Sequence, residues 1–385
     1  MHLTSLSLSY FRNYKKIRLE PLSSGLVVLT GPNGAGKTNL MEAISILSPG
    51  RGLRSADTHD LHYRSHIPQN HVGIPDEREA PPPFALHAKI VGPYGDSQMG
   101  ISVDPQTQKR IVHINGAPSS RSEDRQSLIR CAWLTPAYDR LLMDSASARR
   151  RLIDRWVSTY DPAHTGRLTR MERLITERNR VLGMQRPDPT WLSAIESDLA
   201  STAVAVATAR IDYVDRLRSN LEQNQDTPFP MPRMSMAGDI EQKIGNVPSV
   251  AIEQDYASLL QSNRDKDKAA EATTTGPHRS DLFVHYAAKN MPADQCSTGE
   301  QKALVTSLFL AHARVLTSDY KDPPILLLDD MMAHLDGSRQ TALIDILEQL
   351  GGQIFISGTE ISPELKGRKM TIFTVQNAQI MKEDE

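Results

Sequence analysis

One glycine-rich octapeptide constrains this chain of 385 residues more than any other feature. Residues 31–38 read GPNGAGKT and follow an apolar, β-branched run at 25–30, GLVVLT. Residues 39–47 then carry apolar side chains at helical spacing. Glycines let backbone N–H groups approach an anion without a Cβ in the way, and a following helix points its positive dipole end at the same place. The pattern predicts a phosphate-binding loop between a buried strand and a helix.

This loop supplies the first set of candidate site residues. We expect the Lys37 ammonium to reach the β- and γ-phosphates of a nucleotide, which also makes it a candidate catalytic residue, and the Thr38 hydroxyl to ligate Mg²⁺. The candidate nucleotide-binding residues are those of the loop and the one after it: Gly31, Pro32, Asn33, Gly34, Ala35, Gly36, Lys37, Thr38 and Asn39.

A second motif stands at 325–330, where ILLL is followed by Asp329 and Asp330. Four apolar residues predict a central strand, and the first carboxylate at its end can hold Mg²⁺ directly or through water. The second carboxylate can accept a proton from an attacking water as a general base. Asp329 lies 292 residues after Lys37 (329 − 37). A small G-protein places these motifs within tens of residues, so the spacing predicts a nucleotide-binding domain split by a large insertion.

The third motif, STGEQK at 297–302, stands at a predicted helix start, 32 residues before Asp329. A small hydroxyl, a glycine and a helix N-terminus form an oxyanion cradle. By itself the pattern equally suits a serine N-cap on an exposed helix. In this order it resembles the signature loop of ATP-binding-cassette ATPases, which in that superfamily caps the γ-phosphate of ATP held by the opposite protomer.

The hydrophobic pattern divides the chain into three parts, 1–136, 137–275 and 276–385. Alternating strands are predicted at 84–90 and 111–114, beside the first sheet, and further strands at 282–286, 325–328 and 353–357, with helices at 297–316 and 339–350. The middle part changes to helical spacing, with a heptad-like seam over 190–224 that predicts a helix roughly 50 Å long. We expect an antiparallel helical hairpin, or alternatively two core helices of one globular domain. Residues 225–275 show little pattern.

Composition limits the kinds of partner. Lys and Arg number 44 against 46 Asp and Glu, a net charge of −2, so any nucleic-acid face must be a local patch or be assembled on oligomerisation. Two cysteines exclude a disulfide scaffold and a cysteine-based zinc ribbon. No apolar run approaches 18 residues and the first residues lack the order of a signal peptide, so we expect a cytoplasmic protein without a membrane span.

The chain resembles the RecF family of bacterial recombination-mediator ATPases over essentially its whole length, with 185–275 matching poorly. The resemblance rests on these segments: FRNY at 11–14, GPNGAGKTNLMEAI at 31–44, SPGRGLR at 48–54, WLTP at 133–136, RRRLID at 149–154, GPHRSD at 276–281, CSTGEQKAL at 296–304 and LLLDDMMAHLD at 326–336. It implies an α/β fold: an ABC/SMC-type P-loop ATPase head split in sequence, with an inserted α-helical arm.

The resemblance also implies an activity. RecF-like proteins bind ATP with Mg²⁺, dimerise head to head on ATP, bind single-stranded and duplex DNA at gaps or junctions, and hydrolyse ATP slowly. They act with RecR and RecO to direct recombinase loading in recombinational repair and replication-fork maintenance. By the same resemblance, Arg12 and Asn13 touch the nucleotide, whereas Ser297, Gly299 and Gln301 act on the partner protomer's ATP.

Three family positions differ here from the usual residue. Thr359 stands where a switch residue, often His, senses the γ-phosphate, and His334 replaces an acidic residue before the Leu-Asp pair that crosses the dimer interface. Asp330 stands where many relatives have Glu, and its shorter side chain favours slow turnover.

The leading interpretation is therefore an ATP-gated DNA-binding ATPase of recombinational repair. A rival is a non-catalytic clamp, in which ATP is a dimerising ligand and turnover is incidental. A third is a nuclease gated by the ATPase; the sequence argues against it, because nothing outside the ATPase motifs supplies a second carboxylate-metal cluster.

Overall fold

A computed structural model describes residues 1–64, 82–93, 95–104, 106–332 and 335–383. His334, one of the unusual positions, lies outside these ranges. The described chain forms two compact units, one made of residues 1–136 and 312–385 and the other of residues 137–311. No helix within the described ranges is long and apolar enough to span a membrane.

The strands, numbered along the chain, have the following bounds: β1 His2–Phe11, β2 Tyr14–Leu19, β3 Leu26–Thr30, β4 Ala85–Gly92, β5 Gly95–Val103, β6 Arg110–Ile114, β7 Ala117–Pro118, β8 Cys131–Leu134, β9 Pro232–Ala237, β10 Asp281–Tyr286, β11 Met291–Pro292, β12 Ile325–Leu328, β13 Ile354–Ser357, β14 Met370–Gln376 and β15 Gln379–Lys382. The helices are α1 Lys37–Leu47, α2 Ser122–Leu128, α3 Ala146–Tyr160, α4 Ala163–Leu182, α5 Pro189–Gln223, α6 Ser249–Ser262, α7 Arg264–Ala269, α8 Thr298–Tyr320 and α9 Gly337–Gln349.

The first unit contains the sheet that carries the phosphate loop. Its described strands follow the order β15-β14-β3-β13-β12-β8, and all neighbours are parallel except β14 and β15. β3, β12 and β13 are buried along their whole length, as short apolar runs in a parallel sheet are. The strands predicted at 25–30, 325–328 and 353–357 are thus confirmed. Because the strands are parallel, the residues that follow β3 and β12 meet at one edge.

A second sheet of the first unit is antiparallel, in the order β2-β1-β4-β5-β6-β7. The predicted strands at 84–90 and 111–114 are present as β4 and β6, but they do not pair with each other. β5 lies between them, with Met99, Ile101 and Val103 buried on alternate positions. We did not predict β5, because its other positions are Gly, Asp, Ser and Gln and weaken the β signal.

The second unit has a helical core of its own. α4 and α5 are joined by 183–188 and pack side by side in antiparallel directions, and α6 packs against α5. Asp188 caps α5 through hydrogen bonds from the Thr190 and Trp191 amides, and Pro189 occupies the first turn. The seam residues Leu192, Leu199 and Val206 are buried with Ile252 and Leu260 of α6. The long helix predicted at 190–224 is confirmed, and it contributes to a globular core.

Two parts of the second unit differ from what the sequence pattern indicated. Residues 225–275 contain β9, α6 and α7, and the buried side chains of α6, Ile252, Tyr256 and Leu260, recur every four residues. The boundary expected at 275 also differs from the structural division after 311. Residues 276–311 stay with the middle of the chain because β10 pairs along its whole length with β9, and because Arg149 of α3 binds Asp281 of β10 with two hydrogen bonds.

Candidate nucleotide-binding site

The loop between β3 and α1 has a backbone that requires glycine at two positions. Gly31 and Gly36 have φ angles of 135° and 120°, which favour glycine. A Cβ on Gly31 would collide with the Val375 carbonyl oxygen, and one on Gly36 would collide with the Tyr14 hydroxyl. The neighbouring strands therefore set the path of the loop, and α1 begins directly after it at Lys37.

Lys37 is the charged group of this loop, and its side chain lies against the loop itself. Its Nζ donates hydrogen bonds to the carbonyl oxygens of Gly31 (2.6 Å) and Pro32 (3.1 Å), and the residue is buried. The ammonium is thus held inside the turn of the loop, where it can exchange carbonyl oxygens for phosphate oxygens.

The side chain of Asp329 contacts both sequence segments of the first unit, residues 1–136 and residues 312–385. The Thr38 hydroxyl donates to Asp329 Oδ1 at 3.0 Å, and the Ser357 hydroxyl donates to the same oxygen at 2.7 Å. Burial raises the pKa of the Asp329 carboxyl and the charge of Asp330 adds to the rise, whereas the hydrogen bonds from Ser357 and Thr38 lower it. A hydroxyl beside a desolvated carboxylate forms an oxygen donor set that suits Mg²⁺.

Asp330 lines a cavity beside the loop. Its φ angle is +50°, an uncommon conformation for a residue other than glycine, and its amide donates to the Ser357 hydroxyl at 3.0 Å. Asp330, Asn33, Ser357 and Thr359 line the cavity, which has a volume of about 420 Å³. Asp330, the expected base, and Thr359, the expected switch residue, therefore line the same cavity.

Arg12 and Asn13 lie beside the loop, where they hold protein atoms. Arg12 donates to both carboxylate oxygens of Glu42 (2.8 and 2.7 Å) and to the carbonyl of Asp60. Asn13 donates to the Ala35 carbonyl at 3.1 Å and accepts from Asn39 at 2.7 Å. These contacts position the loop and α1, and direct contact of either residue with nucleotide stays a prediction.

The candidate signature residues belong to the second unit. Ser297 and Glu300 form a capping box at the start of α8: the Ser297 amide and hydroxyl both donate to Glu300 Oε2 at 2.9 Å. Lys289 also pairs with Glu300, and these contacts, led by Lys289, lower the pKa of the Glu300 carboxyl to about 2. No atom of the described residues lies within 4 Å of the Cβ that a side chain on Gly299 would have.

Gln301 differs from its neighbours in this loop. Its side chain is buried, and the amide donates to the Cys296 carbonyl at 2.9 Å and to that of Asp294 at 3.4 Å. The Gln301 side chain therefore stabilises the loop that precedes α8. Its burial does not support the contact with a partner's nucleotide that we expected.

Two site residues escaped sequence reasoning. Ser357 joins Asp329 to the amide of Asp330, yet it is only the last residue of an apolar strand. Glu42 is fully buried and accepts hydrogen bonds from Arg12 and Arg54. An acidic residue within the otherwise apolar face of α1 is a signal that could have revealed Glu42. No group of three His, Cys, Asp or Glu side chains that could hold a metal occurs in the part of the chain that the structure describes.

Comparisons with known sequences agree with this architecture. A family model described as the RecF/RecN/SMC N-terminal domain matches residues 2–380. A DNA replication and repair protein RecF from Mesorhizobium japonicum is 44% identical over 363 residues, which are 93% of this chain and 92% of that protein. The protein of the same name from Rhizobium johnstonii is 41% identical over 382 residues, 98% of both chains.

Solved structures show the same fold. The recombination mediator protein RecF of the RecFOR pathway, in its ATPrS form, superposes with a TM-score of 0.85 at 21% identity, covering 100% of this chain and 98% of that one. An Smc head bound to the C-winged helix domain of ScpA superposes with a TM-score of 0.54 at 15% identity, covering 100% and 98%. The α/β fold is therefore that of an ABC/SMC-type ATPase head. The near full-length identity to DNA replication and repair proteins goes further, and the chain belongs to the RecF family.

Proposed function

We propose that this protein is an ATP-dependent DNA-binding protein of recombinational repair, which binds ATP with Mg²⁺ and hydrolyses the β–γ bond slowly. The observation that carries the proposal is the contact between Thr38 and Asp329. These residues are 291 positions apart, yet their side-chain oxygens lie 3.0 Å from each other. Thr38 is the residue directly after the loop lysine, Lys37. A hydroxyl and a carboxylate joined at the start of a phosphate-loop helix match the Mg²⁺ positions of a P-loop ATPase.

In this proposal each residue acts according to its surroundings. Lys37 leaves the two loop carbonyls and stabilises charge on the β- and γ-phosphates. Thr38 and Asp329 hold Mg²⁺, which neutralises phosphate charge when it is bound. Asp330 faces the cavity and accepts a proton from the attacking water. Ser357 orients the Asp329 carboxylate, to which it donates, and holds the backbone of Asp330, from whose amide it accepts.

The proposal includes assembly. Ser297 and Gly299 are exposed at the start of α8, where they can cap the γ-phosphate of ATP held by a second copy, so that ATP drives a homodimer. The related RecF structures belong to the RecFOR pathway, which supports RecO and RecR as partners. The proposal adds DNA gaps or junctions as substrates and a role in loading recombinase in the cytoplasm. The alternative is a clamp in which ATP joins two copies on DNA and hydrolysis is incidental.

The deciding experiment measures the molecular mass of the protein by light scattering, with and without ATP, ADP and a gapped duplex. We expect ATP with Mg²⁺, and not ADP, to produce a dimer that binds the duplex. A protein that stays monomeric with ATP contradicts the assembly. The turnover rate then separates the two candidates: an ATPase releases DNA once per hydrolysis cycle, whereas a clamp has a dimer lifetime unrelated to its turnover.

Lys37→Ala tests the nucleotide site itself. Lys37 supplies the fixed positive charge of the phosphate loop, so we expect the variant to lose most of its ATP affinity in a fluorescent-nucleotide titration. Lys369→Ala is the matched control, because it removes an exposed lysine from the same unit. Wild-type ATP affinity in Lys37→Ala would exclude the assigned site.

A further inference from the structure

The side chain of Gln340, in the first turn of α9, connects two loops of the first unit, one after β12 and one after β13. Its Nε2 donates hydrogen bonds to the carbonyl oxygens of Met332 (2.6 Å) and Leu335 (2.8 Å), and its Oε1 accepts one from the Ser362 hydroxyl at 2.6 Å. Because a carbonyl oxygen only accepts, the two carbonyls determine which end of the amide faces them. Gln340 is therefore a bridge with a defined orientation.

The two ends of this bridge are not equivalent. Both protons of the Gln340 Nε2 have an acceptor of their own. The Ser362 hydroxyl has one proton, and it also contacts the Glu364 carboxylate, so that proton is shared between two acceptors. The bonds from Nε2 therefore form the stronger half of the bridge.

The loop after β12 begins with the expected base. The Asp330 amide donates to the Ser357 hydroxyl at 3.0 Å, which holds the first residue of the loop. Met332 comes two positions later, with a buried side chain, and its carbonyl is one of the two that Gln340 holds. Asp330 is thus fixed between a contact to β13 and a contact to α9.

The loop after β13 begins beside the phosphate loop. The Thr359 carbonyl accepts a hydrogen bond from the amide of Gly31, the first residue of the phosphate loop, at 3.4 Å. Ser362, three residues further on, donates to Gln340. One end of this loop is therefore tied to the nucleotide site, and the other end is tied to the bridge.

Both loops and the bridge line the cavity beside the phosphate loop. Met332, Ser362 and Gln340 line it together with Asp330 and Thr359. In the proposed reaction, water attacks the γ-phosphorus, the bond to the β–γ bridging oxygen breaks, ADP leaves and the Asp330 carboxylate accepts the proton of the water. A displacement of about 1 Å can cost about 100-fold in rate, so the separation of the two loops matters for turnover.

We propose that Gln340 is a positioning residue for ATP hydrolysis, which holds the two loops at the separation that lets Asp330 reach the attacking water. The inference rests on the proposed function and adds a residue that acts through the two loops. The hydrogen bonds described for Lys37 and Thr38 go to other partners, the loop carbonyls and Asp329. The bridge should therefore affect turnover and leave ATP binding unchanged.

The experiment compares Gln340→Glu and Ser362→Ala with the wild type. Glutamate has the same shape and still accepts from Ser362, but the oxygen that replaces Nε2 cannot donate to the carbonyls of Met332 and Leu335. Gln349→Glu, at an exposed residue of the same helix, is the matched control for the added charge. ATP affinity is measured by fluorescent-nucleotide titration, kcat and KM by phosphate release, the ATP-dependent dimer by light scattering and stability by thermal unfolding.

We expect Gln340→Glu to lower kcat roughly 10- to 100-fold, while KM, ATP affinity and the ATP-dependent dimer stay at wild-type values. A merely structural role would lower the melting temperature without separating kcat from KM. Ser362→Ala should lower kcat less, because it leaves both bonds from Nε2, and it makes the same comparison if Gln340→Glu does not fold. Gln349→Glu should behave as the wild type.

Wild-type kcat in both Gln340→Glu and Ser362→Ala would overturn the inference. Loss of ATP affinity or of the dimer together with kcat would also overturn it, because Gln340 would then act on binding or on assembly. A wild type without ATP turnover would contradict the proposed function, and the inference with it.

Discussion

Two adjacent carboxylates at the end of β12 have different surroundings. Asp329 is buried and shared between Thr38 and Ser357, and burial raises the pKa of its carboxyl. Asp330 turns away through its left-handed backbone and lines the cavity. A desolvated carboxylate is stabilised by a bound cation, whereas a carboxylate at a cavity can reach water. This difference supports the division into a metal residue and a base.

Asp330→Asn tests that division. The amide has the same shape but cannot accept a proton from water, so we expect ATP turnover to fall by about 100-fold or more while ATP affinity is kept. Because ATP persists, the ATP-bound dimer and any DNA complex should last longer. Asp345→Asn, at an exposed residue of the same unit that pairs with Arg368, is the control. Turnover at the wild-type rate in Asp330→Asn would move the base to another residue.

Among the single residues of the site, the sequence predicted Lys37, Thr38 and Asp329 but missed Ser357, which orients Asp329. Lys37, Thr38 and Asp329 belong to patterns with fixed local spacing, so their proximity follows from two motifs at the same edge of one parallel sheet. Ser357, the last residue of β13, contacts the same site, but no local sequence pattern distinguishes it from any other serine at the end of a strand. Its role arises only when β13 lies between β3 and β12.

Among the elements, α4 and α5 are held by more than their apolar seam. Arg178 of α4 is fully buried, and it binds Glu196 of α5 at 3.0 Å, Asp267 of α7 at 2.7 Å and the Leu260 carbonyl at 2.6 Å. Asp267 in turn accepts from the amide and hydroxyl of Thr274. One guanidinium thus joins four parts of the second unit.

Arg178→Met should destabilise the second unit strongly. Methionine fills much of the same volume but leaves the buried Asp267 without its guanidinium, while Glu196 keeps Arg264, which costs roughly 3 to 5 kcal/mol. Arg170→Met, on the same helix, removes an exposed pair with Asp198 and should change stability little. Thermal and urea unfolding measure both variants. Equal melting temperatures for the two would show that the buried network contributes nothing beyond an exposed pair.

The elements that the sequence predicted well are those whose pattern is complete within one segment. β3, β12, β13 and α5 are continuous apolar runs or long periodic helices. Residues 225–275 were not assigned because α6 buries only every fourth residue and α7 has six residues, and because Asp267 and Thr273 bind Arg178, 89 and 95 positions earlier. The boundary near 275 failed for a similar reason, since β10 finds its neighbour β9 across the intervening helices.

For the whole molecule, the central prediction is that Ser297→Arg prevents the ATP-dependent dimer. An arginine at this exposed position would collide with the nucleotide of an approaching copy, while the phosphate loop of its own chain is unchanged. We therefore expect ATP to bind the variant monomer, and dimerisation and hydrolysis to fail together. Light scattering with a nucleotide titration measures both.

The control separates a blocked interface from a damaged helix start. Ser145→Arg places the same side chain at the start of α3, where another exposed serine caps a helix by accepting a hydrogen bond from the Ala148 amide, and should dimerise normally. If Ser297→Arg also dimerises with ATP, Ser297 serves only as the capping partner of Glu300, and the action across the dimer is wrong.

The position of β3 in its sheet also sets the order of events during synthesis. Its two neighbours, β13 and β14, are both made long after it, since Ile354 follows Thr30 by 324 positions (354 − 30). At the usual rate of elongation, this apolar strand and the loop after it leave the ribosome roughly 20 to 60 s before the strands that flank them. An interrupted chain therefore lacks the sheet that shapes the loop, so ribosomes that stop early release products unable to hold a nucleotide and dependent on chaperones to avoid aggregation.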